Sequence, residues 1–172
     1  ELNANQILEF SGIPSSIVTT KNMDYIEAAH ELENGDIDAF FCTAGLTTTI
    51  IEELARECDI RLISIDDRTI EKMLSYSNAY SRYTIPAGTY DGQEEAVNTI
   101  GVTSVLVTSD SMSEDLIQQL TSMLFEKSKE LQYSTSLDLH LDEKFATSNI
   151  PIPFHSGAAK YYEENGLDVN LQ

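Results

Sequence analysis

The sequence predicts an α/β fold built on a parallel-dominated sheet with flanking helices. Three observations predict it. Short β-rich runs alternate with amphipathic stretches of about ten residues over the first 75 positions. One of these runs, residues 37–43, is almost continuously apolar, as a strand covered on both faces requires. The helical stretches carry recognisable start and stop signals. Strand–helix–strand alternation implies right-handed crossovers and helices on both sides of the sheet.

The chain opens as a helix, "ELNANQILEF", with Ala4, Ile7, Leu8 and Ser11 on one face. Because it starts without Met and already in a helical pattern, an upstream portion is expected. "SGIPSS" is turn chemistry: Gly12 stops the helix and Pro14 cannot extend it. "SIVTT" (16–20) is a first short strand. Tyr25, Ala28, Ala29 and Leu32 mark the next helix face, ended by "ENGD". "IDAFFCT" (37–43) is the second strand. Thr49 and Glu52 have capping-box spacing ahead of a stripe of Ile50, Ile51, Leu54, Ala55 and Cys58. "IRLISI" (60–65) is the third strand, followed by a helix carrying Ile70, Met73 and Leu74.

The pattern changes after residue 75. "SNAYSRYTIPAGTYDGQ" is rich in Tyr, Gly and turn formers, and "NTIGVTSVLVTS" (98–109) is the longest β-like run. Ser111 and Glu114 offer a second capping box, opening a helix whose buried side reads Leu116, Ile117, Leu120, Met123, Leu124 and Leu131. A polar stretch to about residue 149, the turn "IPIPF" and a last helix around Ala158 to Tyr162, stopped by Asn165 and Gly166, complete the chain.

Composition narrows the function classes. The 172 residues are 41% apolar and 23% charged, enough for a packed core. No run approaches the ~18 apolar residues of a membrane span. Ten basic against 29 acidic side chains give a net charge of −19, which repels phosphate backbones and anionic lipids; nucleic acid is not an expected partner. The two cysteines, Cys42 and Cys58, fall towards opposite ends of a parallel sheet, too far apart to bridge.

In open α/β sheets, ligands collect beyond the carboxyl ends of strands, at helix N-termini. "DAFFCTAGLTTT" (38–49) is such a place: Gly45 permits close approach of backbone, Thr43 and Thr47 to Thr49 add hydroxyls, and the N–H groups after Ala44 belong to a first helical turn. These donors suit a small anion; the same motif also reads as an ordinary βα turn. "IPAGTYDGQ" is the second candidate, with Tyr90 beside permissive backbone, and it reads equally as a plain turn. Neither nucleotide-binding fingerprint is present, and no cofactor is expected. Cys42 is the one plausible nucleophile, with His30, His140 or His155 as base, but a buried strand thiol is normally inert. Asp138, His140 and Asp142 alternate as metal ligands would, and read more simply as hydrated surface; no metal site is assigned. His155, near a helix start, reads as a cap or packing residue.

"ELNANQILEFSGI", "IEAAHELENGDIDAFFCTAGL", "CDIRLISID", "YTIPAGTYDGQ", "IGVTSVLVTS" and "PFHSGAAKYYEENGL" together resemble, in order, the C-terminal half of a TAXI-type solute receptor, the extracytoplasmic binding subunit of a TRAP transporter. The resemblance implies a two-lobed flytrap of the type II periplasmic-binding-protein-like fold. Residues 1–97 would form most of the second, ligand-binding lobe. Residues 98–172 would form the crossover strand and the helices that complete the first lobe, whose N-terminal part precedes this sequence. It implies capture of a small carboxylate, a glutamate-like amino acid or related organic acid, without chemistry. It also implies delivery to the TRAP membrane permease, and a periplasmic or extracytoplasmic location, with a lipid anchor as one option. By position, "TAGL" supplies Thr43, Ala44 and Gly45 to the ligand site, "AGTY" supplies Tyr90, and "LNANQIL" supplies Asn3. The alternatives are a ligand-sensing effector domain of a regulator with the same fold and a cysteine hydrolase using Cys42.

Overall fold

The computed structural model describes residues 1–134, 141–148 and 150–170. They fall into two compact units, Glu1–Val102 and Thr103–Gln172.

In the first unit, α1 (Leu2–Phe10) packs against α4 (Asp67–Tyr76), α2 (Tyr25–Asn34) against α3 (Thr49–Glu57), and α4 in turn against β1 (Tyr80–Ile85). The caps are chemical. Asp24 accepts the Glu27 N–H at 2.8 Å to start α2, and Gly35, at φ +78°, ends it in the left-handed conformation that a side chain would resist. Asp66 starts α4 by accepting from the Thr69 N–H at 3.1 Å and from the Thr69 hydroxyl at 2.6 Å. The most deeply buried apolar side chains of the unit are Ile70 and Met73, both fully buried; Ala28, Ala29, Ile51, Leu54 and Tyr80 are buried as well. Burying each of the two large side chains contributes about 1.5–3 kcal/mol.

The sheet differs from the expected one. Among the described residues it is a single antiparallel pair, β1 with β2 (Val97–Val102), in the register Tyr80 to Val102 through Ile85 to Val97. Neither a parallel-dominated sheet nor the strands expected at 16–20, 37–43 and 60–65 is present there. Ser15–Ile17 is a 3-10 turn instead, and 98–109 is strand only as far as Val102. The physical reason is pairing: a β-rich composition makes a strand only where a neighbour takes its N–H and C=O groups. The 60–65 run comes nearest, since the Ile65 N–H donates to the Asn98 carbonyl at 2.8 Å and the Asn98 N–H to the Ser64 hydroxyl at 2.9 Å. Apolar side chains of these runs stay exposed, among them Phe41, Ile63, Leu106 and Val107.

Neither expected capping box forms, because both N-caps are displaced. The N-cap of α3 is Thr48, not Thr49, so Glu52 stands one position too late to close a box. The N-cap of α5 (Glu114–Glu126) is Ser113, whose hydroxyl accepts from the Leu116 N–H at 3.3 Å, whereas Ser111 pairs with Ser109.

In the second unit, α5 lies on α8 (Ser156–Glu164), with α6 (Ser128–Ser134) continuing beyond Lys127 and the short α7 (Glu143–Ala146) following. The buried line of α5 is Ile117 and Thr121, not the broad stripe expected: Leu116, Leu120 and Met123 are exposed, and Leu131 belongs to α6. Contact with α8 is close because Gly157 has no side chain. A Cβ there would lie 2.2 Å from the Glu114 carbonyl oxygen and 2.8 Å from the Gln118 nitrogen. Phe125 stacks on Tyr161 at 5.6 Å, and Tyr162, buried, meets Phe125 and Phe154 edge-on. His155 is the cap read from the sequence: its Nδ1 accepts from the Gly157 N–H at 3.1 Å and its Nε2 lies 3.2 Å from the Met112 carbonyl.

Candidate functional site

The turn between Cys42 and Thr49 is held by two phenols from elsewhere in the first unit. Tyr25, the first residue of α2, accepts a hydrogen bond from the Thr43 N–H at 3.1 Å and lies 3.3 Å from the Thr43 carbonyl, to which it donates. At the other end the Tyr90 hydroxyl accepts from the Thr48 N–H at 3.4 Å. The structure thus brings Tyr90 to Thr48, three residues beyond Gly45 and 42 positions away in the sequence.

Tyr90 is itself fixed by a folded turn. The Gly88 N–H reaches the Gln93 carbonyl at 2.8 Å and the Gln93 N–H the Tyr90 carbonyl at 3.1 Å. The Gln93 amide donates to the carbonyls of Pro86 at 3.0 Å and Glu95 at 2.9 Å, and its oxygen accepts from the Tyr90 N–H at 3.3 Å. Gly88, at φ +75°, supplies a backbone conformation this turn requires. Sequence reasoning passed over Gln93. Its signal was a glutamine directly after two glycine-centred turns. From sequence Tyr25 marks a helix face, and no local pattern joins it to Thr43.

Between the two phenols, the N–H groups of Ala44, Gly45 and Leu46 have no acceptor among the described residues, and the Thr43 and Thr49 hydroxyls have no partner there. Thr47 and Thr48 differ from the expectation of free donors: their hydroxyls donate to the Leu46 carbonyl at 2.7 Å and the Gly45 carbonyl at 2.6 Å. Thr47 also holds φ at +58°, the one non-glycine residue with positive φ among those described. A β-branched residue there stores about 1–3 kcal/mol of strain.

Cys42 enters this corner half-buried, and burial pushes its thiol above the ordinary range. That is opposite to what a nucleophile needs. Burial raises the Tyr90 phenol as well, only partly offset by the Thr48 N–H that it accepts. Cys58 is likewise a free thiol, raised by desolvation and then by the carboxylates of Glu33, Glu57 and Asp59.

Asn3 is engaged elsewhere. Its Oδ1 lies 2.9 Å from the Tyr80 hydroxyl, which also meets the Oε1 of the buried Gln6, tying α1 to β1. Of the alternating acidic and histidine residues, Asp138 and His140 lie outside the described residues, while Asp142 caps α7 by accepting from the Phe145 N–H at 2.9 Å. No group of three or more metal-ligating side chains occurs among the described residues. No helix there is long and apolar enough to cross a membrane.

The turn can therefore present uncommitted backbone donors and two hydroxyls ahead of a helix start, chemistry that suits an anion. A family model described as NMT1-like family matches residues 1–166, nearly the whole chain. The chain belongs to the NMT1-like family, a periplasmic-binding-protein-like family associated with extracytoplasmic solute binding.

Proposed function

We propose that this protein is a TAXI-type solute receptor that captures a small carboxylate, such as a glutamate-like amino acid or related organic acid, and hands it to a TRAP-type permease outside the cytoplasm. The observation that carries the reading is the set of uncommitted N–H groups at Ala44, Gly45 and Leu46, flanked by free hydroxyls on Thr43 and Thr49. A carboxylate accepts several such bonds at once, and each charge-assisted bond is stronger than a neutral one. The overall charge of −19 opposes an anionic ligand, so local donors have to supply the attraction. Tyr90 borders the site where it holds the Thr48 N–H, while Asn3, bonded to the Tyr80 hydroxyl, stands outside this donor set. The capture is non-covalent: bound ligand favours one conformation by its differential affinity, and no bond is made or broken.

Calorimetry on the whole chain with glutamate and succinate tests this. Saturable binding is expected, about five- to tenfold weaker in Thr43→Val, which removes one hydroxyl while keeping the shape. Absence of heat with both compounds, or a Thr43→Val titration superimposable on wild type, would contradict the assignment.

A further inference from the structure

We infer that Tyr25 is the positioning residue of the Ala44–Leu46 donors, acting through Thr43 without touching ligand. This rests on the carboxylate reading for its consequence, though not for its geometry.

One hydroxyl on a rigid ring satisfies both main-chain groups of Thr43, accepting from the N–H at 3.1 Å and lying 3.3 Å from the carbonyl it donates to. That is what a neighbouring strand would do for a single residue, and here no strand pairs with this segment among the described residues. The backbone that carries the ring is fixed, because Tyr25 directly follows the Asp24 cap of α2. Immediately after Thr43 come the uncommitted donors, then Thr47 in its strained conformation and Thr48 held by Tyr90. Remove the Tyr25 hydroxyl and the turn keeps its Tyr90 end but loses its Thr43 end. The donors then sample orientations that a carboxylate has to restrict again on binding, and that entropy weakens affinity. Tyr25 is partly exposed, at 40%, so losing one hydroxyl leaves the core untouched.

The test is Tyr25→Phe in the full chain, with two readouts. Amide 15N relaxation should show the Thr43 to Leu46 amides going from rigid, with an order parameter of about 0.85, to below about 0.6 in the variant, with α4 unchanged. Calorimetry with glutamate and succinate should show affinity about tenfold weaker with the same preference between the two compounds. Unchanged order parameters overturn the inference. So does unchanged affinity in the variant when wild type binds. If wild type binds neither compound, the carboxylate reading falls by itself, and relaxation alone decides whether Tyr25 positions the turn. Tyr90→Phe is the comparison: it should loosen Thr48 and leave the Thr43 amide as rigid as in wild type.

Discussion

Asp66 shows how a single residue links sequence, cap and pH. The Thr69 hydroxyl, then the Thr69 N–H, stabilise its ionised form and hold its carboxyl below the usual range. A depressed folded-state value means that the stabilisation is complete above the unfolded value of about 3.9 and is lost as pH falls through the folded one. Unfolding by urea between pH 2 and 7 should therefore show an acid-side decline that is shallower in Asp66→Asn, which still caps but does not titrate. Thr47 makes the complementary case. Asn tolerates the left-handed region, so Thr47→Asn should raise stability by about 1 kcal/mol in denaturant unfolding, provided the released strain exceeds the lost hydroxyl bond. Wild-type stability or lower would show that the +58° conformation carries little strain. Gln93→Leu removes the two carbonyl contacts that shape the Tyr90 turn, and it should quench the protection of the Gly88 N–H in hydrogen exchange.

Among the elements, α5 and α8 depend on a missing side chain. Gly157→Ala would press a methyl group against main-chain atoms of Glu114 and Gln118, which cannot rotate aside. Overpacking of this kind costs about 1–3 kcal/mol, and a matching fall in the melting transition is the expected result. A control at Lys160, whose ammonium pairs with Glu114 at 3.1 Å on the surface, should change little when made Ala, because exposed pairs contribute about 0–1 kcal/mol. Helix positions are the most legible part of the sequence: α2 and α8 end at the stop signals read for them, and α4 carries Ile70 and Met73 on its buried side. Cap registers slipped by one or two residues at α3 and α5, because threonine and serine runs offer several hydroxyls and only the fold selects which one meets the N–H. Strands are the least legible elements. Runs such as 37–43 have strand composition but no ladder among the described residues, while β1 was hidden by the tyrosines and turn formers around it. The Thr43 turn and Tyr90 could each be named from sequence; that Tyr25 and Tyr90 hold the turn between them depends on contacts across the chain that no local pattern encodes.

For the molecule as a whole, charge is the dominant long-range term. With a net −19, carboxylates repel one another across the surface, and salt screens that repulsion within a Debye length of about 8 Å at physiological ionic strength. The melting temperature should therefore rise with sodium chloride from about 0.01 to 1 M. A flat or falling curve would indicate that ion pairs such as Lys21–Glu31, at 2.6 Å, outweigh the repulsion. The same charge bears on handling. Leu106 and Val107 stand 72% and 68% exposed in a stretch without ladder partners among the described residues. Concentrated stocks brought towards the isoelectric point near 4.2 should turn cloudy as molecules seed one another along that bare run. A lysine in place of Val107 acts as a gatekeeper and should keep them clear.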